Sequence, residues 1–156
     1  MSPTDLMQLA IQKTRAGISA GNSPFGCAIA QGDNVIATAH NTVLTTIDST
    51  AHAEVNAIRA GCKHTGKIFL EGAIVATTCE PCPMCMAALH WARVDTVYFG
   101  ATVQDAADAG FNELYIDAAQ ILSMGRSKVK LIGGVLPEEC KQLFHDWIKL
   151  PTARTY

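Results

Sequence analysis

Ala73-Ile74-Val75-Ala76-Thr77-Thr78-Cys79-Glu80-Pro81-Cys82-Pro83-Met84-Cys85 is the stretch that decides the fold of this 156-residue chain. It opens on an unbroken apolar run, Ala73 to Thr77, of the kind found in strands covered on both sides of a sheet. Pro81 then opens a helix that the pattern carries to about Ala92. Thr96 to Gly100 forms the next strand, so the chain moves from strand to helix to strand. Upstream, Gly26 to Gln31 and Val35 to Asn41 read as two strands joined through Gly32-Asp33-Asn34, a short hairpin.

Further out the pattern is helical. Ser2 caps a helix with Pro3 in its first position, and Met7, Ala10, Ile11, Thr14 and Ile18 form its stripe. Ser49 or Thr50 caps a second helix from Ala51 to Gly61. A weaker helical stretch covers Asn112 to Leu122, followed by a strand from Val129 to Ile132. Cys140, Leu143, Phe144, Trp147 and Ile148 give a closing helix that stops before Pro151. A hairpin followed by strand–helix alternation predicts an α/β fold with a mixed sheet and helices on both faces. Ligands gather at the carboxyl ends of such strands, where the following helices begin.

One domain of this length buries roughly 70% of its unfolded surface. Hydrophobic residues make up 49% of the sequence and charged ones 17%, a soluble globular composition. No apolar run is long enough to span a bilayer, and the first residues carry no secretory pattern. A cytoplasmic setting follows as an expectation. There the six cysteines serve metal binding better than disulfides, because two of them form a C-x-x-C. The net charge of −2, with twelve scattered basic residues, argues against a polyanionic partner. Arg126, Lys128 and Lys130 alternate along one strand face and read as a solvated row.

His52, Cys82 and Cys85 have the chemistry of three zinc ligands with a fourth position left for water, the arrangement of a catalytic site. The helix dipole and a metal both favour thiolates at a helix start. A redox C-x-x-C or a buried thiol pair would explain the two cysteines but leaves His52-Ala53-Glu54 unused. Glu54 would serve as the proton carrier. In a continuous helix, positions two apart point about 200° away from each other. His52 and Glu54 therefore converge only on a metal lying beyond the helix terminus. Cys79 is the rival fourth ligand, which would seal the site into a structural zinc module; Pro81 argues instead for a buried strand-end thiol. His40, His64, His90 and His145 lack any such setting and read as structural or exposed.

The H-x-E and P-C-x-x-C pair is the described signature of zinc nucleobase deaminases. With Pro24-Phe25-Gly26, His40-Asn41, Trp91-Ala92-Arg93 and Ala106 to Phe111, the chain resembles the cytidine and deoxycytidylate deaminase superfamily. Within it, the chain is most similar to the small zinc-dependent guanine deaminases. The resemblance implies a three-layer α/β/α domain over residues 1–156 with a five-stranded mixed sheet. It implies one zinc ion per subunit and a homodimer, in which the helix and tail after about residue 137 can swap to the partner. It assigns Asn41 to hydrogen bonding of the base, Phe25 and Trp91 to the ring pocket, and the Ala53 backbone to the ligand. Tyr156 would close the pocket. Glu113 stands where relatives tend to carry aspartate, with one more methylene. The expected reaction converts guanine to xanthine and ammonia, with zinc activating water and Glu54 shuttling protons. A tRNA adenosine deaminase, or a deaminase of cytosine or of another aminated heterocycle such as a triazine, is the alternative.

Overall fold

Strand β3 (Ala73–Cys79) is the axis of the molecule in a computed structural model that describes all 156 residues. It pairs antiparallel with β1 (Gly26–Gln31) on one side and parallel with β4 (Thr96–Ala101) on the other. Strand β2 (Asn34–His40) extends the sheet beyond β1, and the three-residue β5 (Lys130–Ile132) extends it beyond β4. The order is β2-β1-β3-β4-β5, a mixed five-stranded sheet as the alternation predicts.

Alternation along the inner strands sorts side chains onto two cores. Cys27, Ile29, Val75 and Val97 face helices α3 (Ala53–Thr65), α4 (Pro83–Trp91) and α6 (Ala118–Met124). Ala28, Ala30 and Ala76 face α1 (Pro3–Ser19) and α7 (Pro137–Trp147). Small residues on that second face let α1 lie close to the sheet. Gly26 marks the tightest approach: a Cβ there would sit 2.1 Å from Thr14 Oγ1 and 2.6 Å from the Ala10 carbonyl oxygen. The result is a three-layer α/β/α domain.

Several boundaries differ from the sequence reading. His52, not Ser49 or Thr50, is the N-cap of α3, and Cys82, not the residue before Pro81, is the N-cap of α4. Neither makes a side-chain capping hydrogen bond. Propensity favours Ser or Thr at a cap, but here both caps are taken by the candidate metal ligands. Two short helices, α2 (Val43–Thr46) and α5 (Val103–Asp108), carry too few residues for a periodic signal. Residues 112–117, expected to be helical, form an irregular segment that ends where Asp117 caps α6.

The register brings one edge of the sheet together. Cys27 lies opposite Thr77, so the start of β1 meets the carboxyl end of the antiparallel β3. Gly26 lies opposite His40, which brings the end of β2 to the same edge. Cys79 pairs with Ala101, so β4 ends there too. Phe25, Asn41, Cys79 and the segment after Ala101 therefore converge where α3 and α4 begin.

Candidate active site

At that edge lies a cavity of about 350 Å³, near the lower end of the range for small-molecule sites. Its floor is the meeting of the two helix starts. His52 and Cys82 both have extended backbone (φ −67°, ψ 158° and φ −63°, ψ 168°), and each helix begins one residue later. This removes the divergence that a continuous helix would impose. His52 stands just outside α3 while Glu54 occupies its first turn, so the two side chains reach the same space.

His52 Nδ1 lies 3.7 Å from Cys82 Sγ and 3.6 Å from Cys85 Sγ. The three donor atoms fall within 4.8 Å of one another. Tetrahedral bonds of zinc to nitrogen and sulfur would hold such donors ~3.5 Å apart, so the set fits that ion. The donor chemistry fits as well. The Cys82 thiol is brought down to about 4, chiefly by its hydrogen bond with Cys85 and then by His52. Cys85 is pushed up by sharing that same bond and by burial. Burial pulls His52 down, but its bond to Cys82 and the nearby Glu54 raise it overall. Cys79 belongs to no such group. Its thiol donates to the Thr102 carbonyl at 3.4 Å, and burial raises it far above the usual thiol range.

Glu54 is 6% exposed. Thr77 on β3 donates to its Oε1 at 2.9 Å, and the Cys85 thiol approaches Oε2 at 3.3 Å. Burial first, and then the charge on Cys82, raise its carboxyl above the ordinary value. A carboxyl raised in this way is a better proton acceptor than an ordinary one.

The walls carry polar and aromatic side chains. Asn41 is 1% exposed, and its Oδ1 accepts from the Val43 amide at 3.0 Å. Its Nδ2 donates to the Tyr156 hydroxyl at 2.6 Å. Phe25 forms one side, packed edge-on against Phe111 at 4.8 Å and Phe144 at 5.5 Å between centroids. Glu113 is half-buried on the irregular segment, and burial raises its carboxyl. Tyr156 reaches the cavity from its own chain's tail, edge-on to Phe111 at 5.6 Å, with burial pushing its phenol up to about 12.

Two expected contacts are not part of the cavity. Trp91 is 75% exposed at the end of α4, edge-on to His90, because the wall-forming end of that helix is its start. Ala53 is fully buried and does not line the cavity. After α7 the chain turns at Leu150–Ala153 and comes back over its own site, where the Asn112 amide donates to the Tyr156 carbonyl. Phe111, Leu114, Met84 and Glu80 line the cavity without having been singled out. Phe111 alone had a signal, as the large aromatic after Ala109-Gly110.

Comparison with known proteins agrees with this geometry. The family model for the cytidine and deoxycytidylate deaminase zinc-binding region matches residues 2–101. A guanine deaminase of Bacillus subtilis (strain 168) is 43% identical over 117 residues, covering 74% of this chain and 75% of its own length. A tRNA-specific adenosine deaminase of the same organism is 34% identical over 134 residues, covering 86% of this chain and 81% of its own. The solved structure of a guanine deaminase from Nitrosomonas europaea superposes with a TM-score of 0.88 over 96% of this chain and 86% of that one. At 24% identity that match speaks to the fold alone.

Proposed function

Since the chain belongs to the cytidine and deoxycytidylate deaminase family, we propose that it hydrolyses the exocyclic amine of a free purine base, converting guanine to xanthine and ammonia. The observation that carries this reading is the fixed sense of Asn41. Its carbonyl oxygen accepts from the Val43 amide, which fixes Nδ2 as the donor; one Nδ2 hydrogen goes to the Tyr156 hydroxyl and the other is left for a ligand. Glu113, on another wall, offers an acceptor when ionised. Such a pair suits a ring with a carbonyl or ring nitrogen on one edge and N–H groups on another, as guanine has. The 43% identity to a guanine deaminase supports the same substrate.

His52, Cys82 and Cys85 would hold zinc, and Glu54 would act beside it. Bound zinc supplies a water molecule made acidic enough to be deprotonated near neutral pH. Glu54 Oε2 would take a proton from the attacking water as the water oxygen bonds to C2, and would deliver it to N3. Glu54 would then carry the second proton of the added hydroxyl to the departing nitrogen as the C2–N bond breaks. Water and guanine are thereby balanced by xanthine and ammonia. Asn41 and Glu113 orient the ring, and Phe25 packs against it. Tyr156 and Phe111 limit the water above it.

Closure by Tyr156 favours a free base over a flipped nucleotide, which would have to thread its sugar and phosphates past the tail. A homodimer belongs to the same proposal. Trp91, Leu114 and Tyr115 are 75%, 64% and 71% exposed, apolar side chains that a second copy of the chain would cover. Exchange of the helix and tail after about residue 137 within that dimer is part of the same proposal. A reducing cytoplasm suits the six free cysteines.

Ammonia release from zinc-loaded protein, measured against guanine, adenine, cytosine, adenosine and tRNA, tests the substrate. Turnover confined to guanine and its close analogues is expected. Turnover of cytosine or tRNA with none of guanine would overturn the proposal.

A further inference from the structure

Thr77 belongs to no sequence motif, yet its hydroxyl donates to the Glu54 carboxylate from the opposite side to the Cys85 thiol. It lies on β3, paired with Cys27 of β1 and Phe99 of β4, and is 1% exposed. A central strand flanked on both sides is the stiffest support this fold offers. The Thr77 hydroxyl donates to Glu54 Oε1 at 2.9 Å, whereas Oε2 lies on the Cys85 side, towards the candidate metal ligands. Resting on the deaminase reading above, we propose that Thr77 is a positioning residue that holds Oε1 so that Oε2 alone exchanges protons at the reacting centre.

The physical argument is one of rotation. A glutamate terminus turns freely about its last bond, which has a broad, roughly two-fold profile. Without a tether, either oxygen, or the edge between them, could face the water. One hydrogen bond from a rigid strand breaks that symmetry. It survives both charge states, because Oε1 still accepts when the proton rides on Oε2. A proton shuttle that must act more than once per turnover gains most from an anchor that does not change between steps. Orientation within about 10–20° is what such transfers require.

The alternative is that Thr77 merely satisfies a buried polar pair. Thr77→Val and Thr77→Ser, each made alone and in a Glu54→Ala background, separate the two. Metal analysis, kcat and KM for guanine are read for every variant. Thr77→Val is expected to keep its zinc and a nearly unchanged KM while kcat falls about 10- to 100-fold, the worth of one hydrogen bond to a charged group. Thr77→Ser should recover most of that loss, and Thr77→Val should cost nothing further once Glu54 is gone. Thr77→Ala is read in the same way should the valine variant not fold. An unchanged kcat in zinc-loaded Thr77→Val, a serine variant as impaired as the valine, or an equal loss in the Glu54→Ala background would each overturn the proposal. Failure of the wild-type protein on guanine would instead remove the deaminase reading, so the two failures are distinct.

Discussion

Replacing Tyr156 tests how the cavity is closed. The residue is 39% exposed, so more than half of its surface is covered. Two interactions hold it there. The hydrogen bond from Asn41 Nδ2, at 2.6 Å, contributes about 0.5–1.5 kcal/mol net. The edge-on contact with Phe111, at 5.6 Å and 74°, contributes about 0.5–1.5 kcal/mol beyond area burial. Together they favour the closed tail by about 1–3 kcal/mol, roughly 5- to 150-fold in the ratio of closed to open. Tyr156→Ala should therefore raise KM for guanine by a factor in that range. Tyr156→Phe, which keeps the ring and loses the hydrogen bond, should raise it by roughly fivefold. Steady-state kinetics on the free base measure the effect. Hydrogen exchange at the Asn112 amide, which donates to the Tyr156 carbonyl at 3.4 Å, reports the same opening independently. Wild-type KM in both variants, with unchanged protection of Asn112, would refute the reasoning.

Chelation should abolish deamination and lower the melting temperature by roughly 8–16 °C relative to protein with zinc at about 1,000 times its Kd, a linkage of about 4 kcal/mol; calorimetry checks it, and an unchanged melting temperature contradicts it. Gly26→Ala would press a methyl group to 2.1 Å from Thr14 Oγ1 and 2.6 Å from the Ala10 carbonyl. Denaturant unfolding should show a loss of about 1–3 kcal/mol or more as α1 is forced off the sheet. Mixing a Glu54→Gln protein with a Tyr156→Ala protein distinguishes closure within a chain from exchange between chains. Subunits that close their own sites gain no activity from each other, whereas exchanged tails would rebuild one wild-type site in each mixed dimer.

The central strands were the most legible part of the chain. Val75 and Ala76 sit in an unbroken apolar run, and Gly32-Asp33-Asn34 punctuates the hairpin so sharply that both strands were bounded to within a residue or two. The helix starts were less so, for an instructive reason. Ser49 and Thr50 have better capping chemistry than His52, but an N-cap histidine escapes the 3.6-residue rotation and can face the same space as Glu54. Capping propensity gave way to the geometry of the site. Thr77 escaped notice because a doubly buried strand has no polar face on which a functional hydroxyl would stand out. Trp91, which the resemblance assigns to the ring pocket, sits at the end of α4 away from the cavity wall and is exposed in the single chain. Residues 112–117 end at the start of α6, where the Glu80 carboxylate accepts from the Ala118 amide at 3.0 Å, a contact 38 positions away that no local pattern encodes.

The most direct measurement is guanine turnover by zinc-loaded Glu54→Gln protein. The substitution preserves shape and leaves His52, Cys82 and Cys85 in place, so zinc should remain bound in full while kcat falls by at least about 10²–10⁴-fold. A variant that holds its zinc and still turns over near the wild-type rate would contradict the account at its centre.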